Sequence, residues 1–148
     1  MIITSSAFDD GGMIPKKFTC DGGDINPELL IQNVPAEAQS LALILHDPDA
    51  PSPGGFTHWT VWNIDPGTTL IKDESIPPSS VEGSNDAKKV GYFGPCPPSG
   101  APHHYRFQLY ALDAILDLPE GAPVAVLRAE IDKHIITMAE LVGLYARA

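Results

Sequence analysis

The chain has 148 residues and a mass of 15.8 kDa, against a typical domain of about 100–200 residues, so a single domain over 1–148 is expected. With 43% hydrophobic and 19% charged residues it is too apolar and too weakly charged for a disordered chain. Nine basic against 19 acidic residues, a net charge of −10, disfavour nucleic-acid binding and a basic patch for anionic lipid surfaces.

No apolar run approaches the about 18 residues of a transmembrane segment. Met1 to Ala7 show neither a basic n-region nor a long apolar stretch. No signal peptide is visible, so a cytoplasmic protein is expected. In chain order, the short runs Lys17–Cys20, Leu29–Asn33, Ser40–His46, Thr57–Ile64, Lys89–Tyr92 and His103–Leu112 read as strands. They are rich in β-branched, aromatic or leucine residues, and many are flanked by Gly, Pro, Asp or Asn. Ser40–His46 is nearly continuously apolar, which predicts a central strand covered on both faces.

His103–Leu112 alternates. His103, Tyr105, Phe107, Leu109 and Ala111 form a mostly apolar face, and His104, Arg106, Gln108, Tyr110 and Leu112 a more polar one. Parity therefore separates two adjacent histidines, with His103 turned inward beside Tyr105. One helix is predicted after Pro123, from Val124, Leu127, Ile131 and Ile135 at helical spacing. Ala139–Ala146 reads as a closing strand. The sum is an all-β chain, an antiparallel β-sandwich with about one helix near its C-terminus.

Chemistry-bearing residue types gather in three segments. His46-Asp47-Pro48-Asp49-Ala50-Pro51 places two carboxylates on a proline-stiffened loop at the end of the central strand. Taken alone it also fits a solvated Asp-Pro turn. Thr57-His58-Trp59 puts a histidine in a strand, where a packed core histidine is the common outcome. Gly91 to Gly100 is dense in glycine and proline and leads into His103-His104-Tyr105. Such a loop can bring backbone N–H groups close to a ligand, or can simply be a rigid connector.

Together these segments resemble the phosphatidylethanolamine-binding protein family, which includes Raf kinase inhibitor proteins, and its bacterial and archaeal branch above all. The residues carrying the resemblance are Asp47-Pro48-Asp49-Ala50-Pro51, His58-Trp59, and Gly94-Pro95-Cys96-Pro97-Pro98 through His103-His104-Tyr105. Thr19-Cys20-Asp21-Gly22, Pro27, Asn85-Asp86 and Glu140 to Tyr145 add to it. The resemblance implies a β-sandwich with a small pocket for phosphate-type anions, such as phospholipid head groups or phosphorylated side chains. Matched residue by residue, Asp47, Asp49, Pro51, His58, Gly94, Pro95, His103 and Tyr105 would bind the ligand. His104 stands where much of the family has arginine, which implies an altered rim. The C-terminal helix of animal members is absent or replaced by the helix after Pro123, which implies a more open pocket.

The expected chemistry starts from Asp47 or Asp49 accepting a hydrogen bond from one nitrogen of His58 or His103, leaving the other nitrogen to the ligand. A neighbouring carboxylate favours imidazolium, which donates to a phosphate oxygen, and amides around Gly94 complete the cradle. A binding protein without cofactor or metal is the leading expectation, with kinase or protease inhibition as a further option. The partner would be a phosphate-containing small molecule or a phosphorylated protein. The oligomeric state is left open, a homodimer being one option. Alternatives are a hydrolase using the His/Asp cluster, with Ser52 or Cys96 as nucleophile, and an interaction module with a vestigial pocket. For Cys20 and Cys96 two ordinary thiols are expected in a cytoplasmic chain, against a disulfide joining Cys20 to the pocket loop.

Overall fold

A computed structural model describes all 148 residues. Its elements are β1 (Ile2–Thr4), β2 (Leu29–Gln32), β3 (Ser40–Asp47), β4 (Phe56–Ile64), β5 (Leu70–Ile71), β6 (Val81–Glu82), β7 (His103–Leu112), α1 (Val124–His134) and β8 (Ile135–Tyr145). They form two antiparallel sheets, one of order β1-β2-β5 and one of order β6-β4-β3-β7-β8. No helix is long and apolar enough to cross a membrane.

The continuous apolar run of β3 has the expected explanation. Leu41, Leu43 and Leu45 enter the core between the sheets, with Trp59, Val61, Tyr105, Phe107 and Leu109. Ala42 and Ile44 point the other way, into a second core with Trp62, Tyr110, Leu112 and the helix residues Leu127 and Ile131. Each of these large apolar side chains contributes about 1.5–3 kcal/mol on burial. In β7 the inward set from Tyr105 to Ala111 is buried and His104 is exposed. The polar face ends at Tyr110 and Leu112, which α1 covers.

Pro123 is extended (φ −72°, ψ 154°), and its carbonyl accepts from the amides of Val126 and Leu127, opening α1. The helix stops at His134. Ile135 is not its continuation but the first residue of β8, which therefore starts four residues earlier than the predicted Ala139. The β-branched run Ile135-Ile136-Thr137 favours a strand and pairs with the end of β7.

Two predicted strands are corrected. Lys17–Cys20 is replaced by a 3-10 turn over Lys16–Phe18, opened by Pro15 and closed by Thr19, whose amide and hydroxyl both donate to the Lys16 carbonyl. Lys89–Tyr92 makes only an isolated bridge, Ser84 to Val90. Asn85 organises a turn there, its side-chain Oδ1 accepting from the amides of Ala87 and Lys89 while its Nδ2 donates to the Gly91 carbonyl. Strands β1, β5 and β6, of two or three residues each, lack a sequence signature of their own.

The outer edge of β8 is closed by the start of the chain. Gly11 N donates to Val142 O (2.7 Å), Ile14 N to Leu144 O (2.7 Å) and Leu144 N to Gly12 O (2.8 Å). Gly143 lies beneath this segment. A Cβ there would meet Ile14 Cγ1 at 2.5 Å and Phe8 Cε2 at 2.8 Å, so the crossing requires glycine.

Candidate functional site

At the end of β3, Asp47 is 2% exposed. Burying a carboxylate requires donors, and Asp47 has two. Its Oδ1 accepts from the Asp49 amide (2.8 Å) and its Oδ2 from His103 Nδ1 on β7 (2.7 Å). The loop returns to β4 through Gly55 (φ 84°), which packs over the Asp47 carbonyl and His46. On β4, His58 Nδ1 donates to the Phe93 carbonyl at 2.7 Å, while Phe93 N donates back to the His58 carbonyl at 3.0 Å. The imidazole is packed among Phe56 (4.7 Å between ring centroids), Phe93 (5.6 Å) and Tyr105 (5.4 Å).

These elements enclose a cavity of about 250 Å³, with Asp47, His58, His103 and Tyr105 among its polar lining and Pro51 among its apolar lining. Sequence reasoning missed Phe56, Phe93, Pro97 and Pro98 in that wall. Phe56 directly follows Gly55 and Phe93 directly precedes Gly94, so each adjoins a glycine of its loop.

The remaining expected residues lie elsewhere. Asp49 faces the rim, where its Oδ2 accepts from both the amide (2.8 Å) and Nδ1 (2.7 Å) of exposed His104. That bond holds the Asp49 carboxyl below the usual range. Gly94 and Pro95 are outside the cavity lining. Gly94 N donates to Asp24 Oδ1 (2.7 Å), and a Cβ on Gly94 would strike that oxygen and the Phe18 carbonyl at 2.5 Å each. The Pro95 carbonyl accepts from Cys20 N (3.1 Å), and Tyr92 hydroxyl donates to the Phe18 carbonyl (2.7 Å). The amides of Phe93 and Gly94 are thus already engaged, and the expected backbone cradle is replaced by anchoring of the loop.

The expectation of two ordinary thiols is also corrected. Cys20 and Cys96 form a disulfide across 76 residues, which ties the loop to the Lys16–Asp24 segment. Cys96 is therefore not a thiol nucleophile, and Ser52 is exposed. Arg147 sits behind the disulfide, paired with Asp21 at 2.9 Å. The helix after Pro123 contributes nothing to the cavity wall.

Charge in the cavity departs from expectation. Burial pushes the His58 imidazole below its usual value, against weaker opposing effects of the Phe93 carbonyl and Asp47. Burial thus works against an imidazolium at His58. The carbonyl of Phe93 can only accept, so Nδ1 carries a proton, and in the neutral ring Nε2 is an acceptor. Burial, and secondly Asp47, raise Tyr105 far above the usual phenol range, so it stays a hydroxyl. Its oxygen is buried without a hydrogen-bond partner. Both Asp47 oxygens are already engaged by His103 and the Asp49 amide. A buried hydroxyl left unpaired costs about 1–3 kcal/mol, which a ligand in the cavity would relieve. No lysine or arginine lines the wall.

A family model for phosphatidylethanolamine-binding protein matches residues 4–146. A UPF0098 protein of Methanothermobacter thermautotrophicus is 47% identical over 99% of each chain. The crystal structure of a phosphatidylethanolamine-binding protein homologue from Chlamydia trachomatis is similar at TM-score 0.93 and 42% identity, covering 99% of this chain and 97% of the other. E. coli YbcL, described as a member of the mammalian family, gives TM-score 0.94 at 30% identity, over 99% and 98% of the two chains.

Proposed function

The chain belongs to the phosphatidylethanolamine-binding protein family, and from that premise we propose that it is a binding protein whose cavity takes small phosphate-type anions. The observation that carries this reading is the Tyr105 hydroxyl, buried and without a partner, in a cavity where two histidines have Nδ1 already tied. Tying one ring nitrogen orients the imidazole and commits the other to whatever enters. The aromatic and proline walls exclude water and strengthen each polar contact inside.

A catalytic role is less well supported. Hydrolysis by the His/Asp cluster needs a nucleophile beside a base. Cys96 is bonded to Cys20, and the side chain of Asp47 is already engaged by two donors. The phosphate group can be carried by a small molecule or by a phosphorylated protein, and inhibition of a kinase or protease would follow from the second.

The test is an NMR titration of the five histidines with inorganic phosphate and O-phosphoethanolamine. His58, His103 and the Tyr105 ring should shift together and saturably, with His46, His104 and His134 still. An unresponsive His58 and His103 would end this reading.

A further inference from the structure

We propose that the Cys20–Cys96 disulfide is a redox latch on one wall of the cavity, opened by a dithiol reductant that attacks Cys20 and expels Cys96. Redox control goes beyond the binding reading above, and rests on it only where ligand affinity is concerned.

That wall consists of Cys96, Pro97 and Pro98. Proline has no N–H, so Pro97 and Pro98 cannot donate to a neighbour, and the backbone of residues 96–98 makes no hydrogen bond within the chain. On either side the loop is fixed. Before it, the amides of Phe93 and Gly94 bond to the His58 carbonyl and to Asp24, and the Pro95 carbonyl accepts from Cys20 N. After it, Gly100 N donates to the Arg147 carbonyl (3.3 Å) and Ser99 Oγ to the Ala148 carbonyl (2.8 Å). Between these anchors one covalent bond holds the wall, and both cysteines are partly exposed. Breaking that bond frees the wall and leaves the strands behind it in place.

The charges beside the two sulfurs are opposite. Arg147 Nη1 lies 3.8 Å from Cys96 Sγ, and Asp21 Oδ1 lies 4.0 Å from Cys20 Sγ. Arg147 Nη2 also pairs with Asp21 Oδ1 at 2.9 Å, and Asp21 Oδ2 accepts from the Tyr145 hydroxyl at 2.7 Å, so both charges are held in place. The sulfur that leaves becomes a thiolate, which a neighbouring guanidinium stabilises and a carboxylate does not. The reductant's thiolate therefore attacks Cys20 Sγ. The Cys20–Cys96 bond breaks, its electron pair goes to Cys96 Sγ beside Arg147, and a mixed disulfide remains on Cys20. The second thiol of the reductant then displaces Cys20 and closes the reductant's own disulfide. Each cysteine ends as a thiol: the pair gains two electrons and two protons, and the dithiol loses them.

The test compares the intact protein before and after reduction with dithiothreitol. Hydrogen exchange should accelerate at least about tenfold at the Cys20 amide, whose bond to Pro95 sits beside the disulfide, while β3 and β7 keep their protection. Limiting glutathione, quenched by acid and alkylation, should leave its adduct on Cys20 in peptide mass spectra. Arg147→Gln should slow reduction about threefold or more, and Arg147→Lys should restore the rate. An arginine that only packed over the disulfide would, once removed, expose it and speed reduction. Inorganic phosphate, the probe for the cavity, should bind reduced protein at least about fivefold more weakly, and by reciprocity should disfavour reduction by the same factor. An adduct on Cys96, or faster reduction of Arg147→Gln, overturns the direction of attack. Unchanged exchange and phosphate affinity after reduction overturn the latch, as does acceleration throughout β3 and β7. If phosphate binds neither form, the binding reading falls and the exchange measurement alone decides the latch.

Discussion

His103 and Asp47 are joined by a 2.7 Å hydrogen bond from Nδ1 to Oδ2, across 56 residues of sequence. It links the end of β3 to the start of β7 at the floor of the cavity. The bond orients His103, and it supplies one of the two donors that make a nearly inaccessible carboxylate tolerable.

Asp47→Ala removes that carboxylate and strands the His103 Nδ1–H. Hydrogen bonds to charged groups are worth about 1.5–3 kcal/mol each, and the two lost here predict destabilisation of about 3–6 kcal/mol. Urea unfolding should show a lower midpoint at unchanged slope, and His103 should lose its response to phosphate. A variant of wild-type stability would contradict the role assigned to this pair.

Acidification should destabilise the fold through His58 and His46, both held below the ordinary imidazole value of 6.5 chiefly by burial. Below that value the unfolded chain binds more protons than the folded one. Stability is therefore present above about pH 6.5 and is lost as pH falls towards the depressed folded-state values. Asp49, lowered by its His104 partner, adds a loss in the same direction in the carboxylate range. Urea midpoints at about pH 8 and about pH 5.5 check the sign. Higher stability at the acid end would refute it.

Replacing Cys20 and Cys96 together by serine should cost about 2–4 kcal/mol, given that the bond closes a long loop of 76-residue separation. The anchored loop carries Phe93, so the His58 resonance should shift as well. Unreduced protein should be lighter than reduced protein by two hydrogens.

Gly143→Ala should destabilise by about 1–3 kcal/mol, because overpacking forces side chains from their preferred positions, here Ile14 and Phe8. Hydrogen exchange should accelerate at the Gly11 and Ile14 amides, which bond across to β8, while β3 stays protected. Uniform acceleration would mean the edge segment is not separable from the core.

Much of this architecture was legible in the residues. An unbroken apolar run means two covered faces, and β3 has them. Alternation assigned His103 to the interior and His104 to the exterior, and their partners Asp47 and Asp49 follow that division. Other features were not legible because they are tertiary. The acceptor for His58 is a backbone carbonyl 35 residues away, and carbonyls have no signature in a sequence. Gly94 reads as a ligand-facing glycine, yet its missing Cβ makes room for Asp24 and the Phe18 carbonyl. The very short strands β5 and β6 exist only because their neighbours supply an edge to pair with.

The segment that closes the edge of β8 also imposes an order of assembly. Asp10 Oδ1 accepts from the amide of Val142, 132 residues later, and Gly11 to Ile14 pair with the same stretch. During synthesis at about 5–20 residues per second, that early segment waits on the order of ten seconds for its partner to emerge. Until then it and the apolar Phe8 are available to chaperones or to another nascent chain. Completion of the molecule is thus timed by translation of its last strand.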